Sequence, residues 1–150
     1  MMKIYVRNRY WVEFQLKEDR DLLDAWSMIS IYSSGDSCPI KEERDTLLKM
    51  QFDDIIMPTD GMILFTDEMA KEIKRFANYL IAKYPDRALI VHCDAGVSRS
   101  GAVGAALNEY VNLRVLNNRR HYDWFIREHV NLISPNQTVM SRMMKVMLEG

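Results

Sequence analysis

The sequence predicts an α/β fold, with a central, mostly parallel sheet of about four to five strands flanked by helices. Three observations predict it. Ala88, Leu89, Ile90 and Val91 form an unbroken apolar run of strand length, the pattern of a strand buried on both faces. Short β-rich runs alternate along the chain with longer amphipathic stretches, the order that builds a parallel sheet. The chain has 150 residues, 48% of them hydrophobic and 27% charged, which is enough to bury one core. No repeat, low-complexity tract or linker divides it, so a single domain over residues 1–150 is expected.

The elements follow in order. Residues 3–6 and 10–14 are rich in β-branched and aromatic side chains and predict two short strands. Residues 21–26 predict a short helix, and residues 28–32 a buried strand. The Ser-Ser-Gly-Asp-Ser stretch at 33–37 then predicts a loop. Residues 42–48 predict another short helix, leading into a strand at 49–52, and Pro58 and Gly61 mark a loop over 53–61.

Thr66 is a suitable N-cap, with Asp67, Glu68 and Glu72 near the positive end of the helix it opens. Met69, Ile73, Phe76, Ala77, Leu80, Ile81 and Tyr84 recur on one face of that helix, and Pro85 ends it. Residues 88–91 are the central strand. A tightly packed helix over 100–111 is expected from Gly101, Ala102, Gly104, Ala105 and Ala106, and a second helix over 118–130. A last helix opens near Ser134, Pro135 and Asn136, with Val139, Met140, Met143, Met144 and Met147 as its apolar stripe. Methionines at that spacing read as core filling.

Composition narrows the function. The formal net charge is −1, so nothing global points to nucleic acid or an anionic membrane. The cluster Arg119, Arg120, His121 reads as a solvated helix face. Two cysteines, Cys38 and Cys93, do not make a disulfide framework, and reduced thiols in a cytoplasm are expected. The first residues lack the apolar stretch of a signal peptide, and no run reaches the roughly 18 apolar residues of a membrane span.

The stretch from Val91 to Gly101 carries the chemistry, because it lies between the central strand and a helix. Strand ends and helix N-termini are where α/β proteins hold anions. Five residues separate Cys93 from Arg99, a spacing that closes into a cup of inward-pointing N–H groups able to hold a tetrahedral oxyanion. Gly96 lets the chain turn where a side chain would obstruct it. Arg99 can return over the cup and grip two phosphate oxygens with its planar fork. Oriented amides, a helix N-terminus and a cation favour thiolate over thiol, the condition for a nucleophilic cysteine.

His92-Cys93-Asp94-Ala95-Gly96-Val97-Ser98-Arg99-Ser100 resembles the signature loop of the protein tyrosine phosphatase superfamily, and is most similar to its dual-specificity branch. The loop is the specific part; from about residue 28 to the last helix the likeness is fainter. The low-molecular-weight branch places this loop after its first strand, whereas here it follows about the fifth predicted strand. The short chain suits the compact dual-specificity architecture. The resemblance implies that Cys93 attacks phosphorus and forms a cysteinyl-phosphate that water then hydrolyses. It implies that Asp94, Ala95, Gly96, Val97, Ser98 and Arg99 bind the phosphate, that His92 orients the loop, and that Ser100 donates a hydrogen bond to the Cys93 sulfur. No metal or other cofactor is implied.

Such enzymes also take a proton from an aspartate on a loop. The Met-Gln-Phe-Asp-Asp stretch at 50–54 fits that position and selects Asp54, with Asp53 as the alternative and Asp60 and Asp67 as weaker rivals. Gln137 is a candidate for placing the hydrolytic water, against a solvated role, while Asn136 reads as a helix start. Cys38, His121 and His129 read as structural. Asp94, Ala95 and Val97 inside the loop disfavour a polyanionic headgroup. A phosphorylated protein or peptide is therefore the expected partner, with phosphotyrosine first, and no nucleic acid or membrane; the chain is expected to be monomeric. The same chemistry on RNA 5′-triphosphate or a phosphoinositide, and a phosphate-binding module without turnover, stay open as alternatives.

Overall fold

The structure is a computed structural model describing residues 2–19 and 21–149. Its order is β1 (Ile4–Asn8), α1 (Arg9–Glu18), α2 (Leu22–Ala25), β2 (Ser27–Tyr32), β3 (Leu47–Gln51), α3 (Asp67–Lys83), β4 (Leu89–Cys93), α4 (Arg99–Leu107), α5 (Arg119–His129) and α6 (Gln137–Leu148). Four strands form one sheet in the order β1-β4-β2-β3, and every neighbouring pair is parallel. The expected four to five strands are four, and the sheet is wholly parallel.

Alternation along the strands builds a core on each face. Ile4, Val6, Ile29, Ile31, Leu89 and Val91 face a large cluster with Ile73 and Leu80 of α3, Val103 of α4 and Met143 of α6. Met28, Leu47 and Ile90 point the other way, onto Val12 of α1 and Leu22 and Leu23 of α2. β4 is buried along its whole length, between β1 and β2. That central place presents Cys93, its last residue, at the C-terminal edge of the sheet.

Two elements differ from the sequence reading. Residues 10–14 are helical, not a strand. Asn8 accepts a hydrogen bond from Trp11 N at 2.7 Å and caps α1, and Arg9 pairs with Glu13 one turn on at 2.6 Å. Only Val12 of the helix is fully buried, while Tyr10 and Phe14 lie exposed and stacked, so the aromatic content that suggested a strand serves no sheet. Removing that strand also makes the cysteine loop follow the fourth strand rather than the fifth.

Residues 42–46 form an irregular stretch ending in a turn at 45–46 instead of a helix. The stretch 42–45 is wholly charged and offers no apolar stripe, and Leu47 and Leu48 are drawn into β3 by pairing with Met28 and Ile29. Beyond α4 the helix widens into a π-helical segment, Asn108–Val115, closed by Leu116 N donating to Val111 O at 2.8 Å. Among the described residues no helix is long and apolar enough to cross a membrane.

Candidate active site

The chain leaves β4 at Cys93, turns through Asp94 to Ser98, and enters α4 at Arg99. Three outside donors hold the loop by its carbonyls. Arg9 N donates to Asp94 O at 3.1 Å, Ser134 N to Val97 O at 3.0 Å, and Asn136 N to Ser98 O at 3.0 Å. Among the described residues no acceptor takes the N–H groups of Ala95, Gly96, Val97 or Ser98. With carbonyls engaged outward, those amides are available to an oxyanion. Gly96 has φ +70°, and a Cβ there would lie 2.6 Å from Arg7 C and Asn8 N. Only glycine can press this turn against the end of β1.

The Cys93 sulfur is buried and lies 3.0 Å from Ser100 Oγ and 3.5 Å from Ser100 N. Both cysteines are free. Arg99 is 5% exposed, and its Nη1 donates to Phe52 O at 2.7 Å and to Ser33 Oγ at 2.9 Å. Its Nη2 donates to Asp94 Oδ2 at 3.1 Å, and the same carboxylate oxygen accepts from Ser33 Oγ at 3.0 Å. The guanidinium is thereby fixed in orientation, and Asp94 lies at the rim of the cup.

His92 is fully buried. Its Nδ1 lies 3.4 Å from Cys93 O, which can only accept, so Nδ1 carries the proton. Nε2 then accepts from Ser30 Oγ at 2.6 Å, and Cys38 Sγ lies 3.3 Å behind that hydroxyl. Burial pushes the His92 pKa down to about 4, so the ring is neutral near pH 7.

The two adjacent carboxylates are separated by environment. Asp53 is buried; its Oδ1 accepts from Ser34 N, and its Oδ2 accepts from Ser34 Oγ and Ile63 N, at 2.7 to 3.0 Å. Burial raises its pKa, but the hydrogen bonds from Ile63 and Ser34, with the nearby Arg99 charge, outweigh it and hold the group below the usual carboxylate range. Asp53 thus ties the Ser34 turn to Ile63. Asp54 is exposed and touches the end of the cysteine loop, its Oδ1 accepting from Ser98 Oγ and from Asn136 Nδ2, each at 2.8 Å.

Asp60 sits in the turn before Gly61, and Asp67 binds Arg142 and Lys145 at the start of α3, so neither joins the loop. Gln137 opens α6 and lines, with Asp54, Ile56 and Met57, a groove of about 530 Å³ beside Ser98. Asn136 does cap α6, accepting from Val139 N, yet its amide also positions Asp54. Sequence reasoning missed that second role, along with Ser30, Ser33 and Ser34. His129 is structural: it accepts from Val6 N at 3.1 Å and lies 2.7 Å from Phe125 O.

No family model and no curated protein matches the sequence. Solved structures do match. Human DUSP28 is 14% identical, with 97% of this chain and 91% of that chain covered and a TM-score of 0.56. Tk-PTP in its active form is 18% identical, with coverage of 97% and 90% and a TM-score of 0.56. PTPMT1 in complex with PI(5)P is 15% identical, with coverage of 97% and 90% and a TM-score of 0.50. The chain has the fold of the dual-specificity phosphatases.

Proposed function

We propose that this chain, on its dual-specificity phosphatase fold, is a cysteine-dependent phosphatase of phosphorylated proteins, acting on phosphotyrosine and also on phosphoserine and phosphothreonine. One observation carries the reading: the buried Cys93 sulfur lies against Ser100, at the foot of a loop whose Ala95 to Ser98 amides take no acceptor among the described residues, with Arg99 held at its far end by Phe52 O and Asp94.

In the first step the Cys93 thiolate attacks phosphorus, the bond from phosphorus to the ester oxygen breaks, and Asp54 supplies the proton that oxygen needs. The amides of residues 95–98 and Arg99 hold the equatorial oxygens, so positioning and charge stabilisation lower the barrier. In the second step water attacks phosphorus and gives its proton to Asp54. The bond between phosphorus and sulfur breaks, and the Ser100 hydroxyl donates to the departing sulfur. His92 keeps the Cys93 carbonyl in place. The chemistry needs a reduced thiol, which suits a cytoplasmic setting.

Asp94 at the rim supports a singly phosphorylated side chain over a polyphosphorylated headgroup, because a second phosphate would meet a carboxylate. The groove beside Asp54 offers Ile56 and Met57 to the residues flanking a phosphorylated side chain. A panel of phosphopeptides, phosphoinositides and 5′-triphosphorylated RNA, with wild type beside Cys93→Ser, tests the reading. Peptide turnover by wild type alone is expected. Preference for either other substrate overturns the protein assignment, and no hydrolysis even of a simple aryl phosphate overturns the enzyme.

A further inference from the structure

The basic stretch at 119–121 is only partly a solvated face. Arg119 turns outward and pairs with Asp123 at 3.2 Å. Arg120 and His121 instead meet Lys3, Trp124 and Arg127 around a cavity of about 360 Å³. Among the described residues no carboxylate lines this cavity, and Lys3, Arg120 and Arg127 enter no ion pair. Arg9, Arg44, Lys49, Arg142 and Lys145, by contrast, all face carboxylates.

Three exposed permanent cations around one hollow, in a chain of net charge −1, make a local positive potential that favours an anion. Arg120 and His121 lie in the first turn of α5, which holds no acidic residue, so the helix end adds to that potential. Among the described residues the His121 Nδ1 atom has no hydrogen-bond partner, although the Met2 backbone approaches the ring. Trp124 forms a fixed wall: its ring meets Tyr5 at 5.0 Å and His129 at 6.1 Å, with Lys3 Nζ 5.1 Å from its centre. Arg120 and Arg127 are two turns apart on one helix face, their Cα atoms separated by roughly 10 Å along the axis. Two guanidinium forks at that spacing, with an ammonium beside them, suit an elongated anion better than one carboxylate.

The hollow lies at the start of β1, whereas the cysteine loop follows the end of β4. The two strands pair in parallel from Ile4↔Leu89 to Asn8↔Cys93, so about 13 Å of strand separates the two places.

We propose that this cavity is a second anion site that takes a diphosphate-class group, distinct from the cysteine loop. The group is either free or carried on a nucleoside. The test titrates pyrophosphate, and separately ADP, into the full chain carrying Cys93→Ser, followed by the Trp124 indole and the Arg120 and Arg127 side-chain nitrogen resonances. Saturable shifts at all three are expected, weakening as salt rises. Arg120→Gln with Arg127→Gln raises the dissociation constant read at Trp124 by roughly tenfold or more. The same pair of changes beside an intact Cys93 leaves aryl phosphate turnover, if present, unchanged. Tighter binding of ADP identifies the nucleotide as the source, and equal binding identifies the free anion. Shifts confined to residues 93–99, or a Trp124 response unaltered by the double change, overturn the proposal.

Discussion

Asp53 and Asp54 are chemically identical neighbours in opposite surroundings. Asp53 is saturated with donors in the interior, while Asp54 is exposed and accepts from Ser98 at the end of the loop. Asp54→Asn is expected to slow esters with poor leaving groups by roughly 100-fold, the scale of general acid catalysis, and activated aryl esters far less. Asp53→Asn should instead lower thermal stability, with a similar proportional loss for both ester types. Steady-state kinetics on the two ester classes decide it, and the reverse pattern refutes the assignment.

His92 carries a pH prediction. Its folded pKa of about 4 lies below the ordinary 6.5, so above pH 6.5 the folded and unfolded chains are both neutral there. As pH falls from 6.5 towards 4, the unfolded chain takes up a proton that the folded one refuses. Stability of about 3 kcal/mol, present above pH 6.5, is lost across that window. Urea unfolding at stepped pH should show the slope, and His92→Asn should remove it.

Cys93, Arg99 and Asp54 were legible as candidates because the loop's spacing, and for Asp54 a strand-end position, are themselves signals. Ser30, Ser33 and Asn136 were not. Each reaches the loop from a distant segment, and a lone hydroxyl or amide has no periodicity to betray it.

At the scale of elements, the loop depends on contact between its turn and the edge strand. Gly96→Ala puts a methyl group into the Arg7–Asn8 backbone at a left-handed φ. A loss of about 1–3 kcal/mol in stability is expected, with the loop displaced from its anchor. Inorganic phosphate binding should weaken along with turnover, and calorimetry measures it; unchanged phosphate affinity would count against the cup.

The elements that were legible are those whose pattern and packing agree. α3 shows its cap, its stripe and its stop in sequence, and all three are present. α1 was misread because Tyr10, Trp11, Val12 and Phe14 favour strands intrinsically, while the Asn8 cap and the absence of a sheet position decide for helix. The stretch at 42–46 was misread for a related reason. Helix formers without an apolar face gain nothing from packing.

For the whole molecule, the apolar run at 88–91 was the strongest sign of the fold, and from Leu89 on it belongs to β4, the strand that contributes to both cores. The order of strands was not legible, since parallel pairing leaves no mark on local composition. It has a consequence in time. The fourth strand to be synthesised is inserted between the first and the second. A nascent chain that ends before residue 89 holds β1 on one side and the β2–β3 pair on the other, with the gap between them unfilled. A fragment of residues 1–88 should therefore show no protected amides in hydrogen exchange, whereas the full chain protects β4 most strongly. The sheet therefore stays in two pieces until residues 89–93 have left the ribosome, and Cys93 is released as the last residue of the strand that joins them.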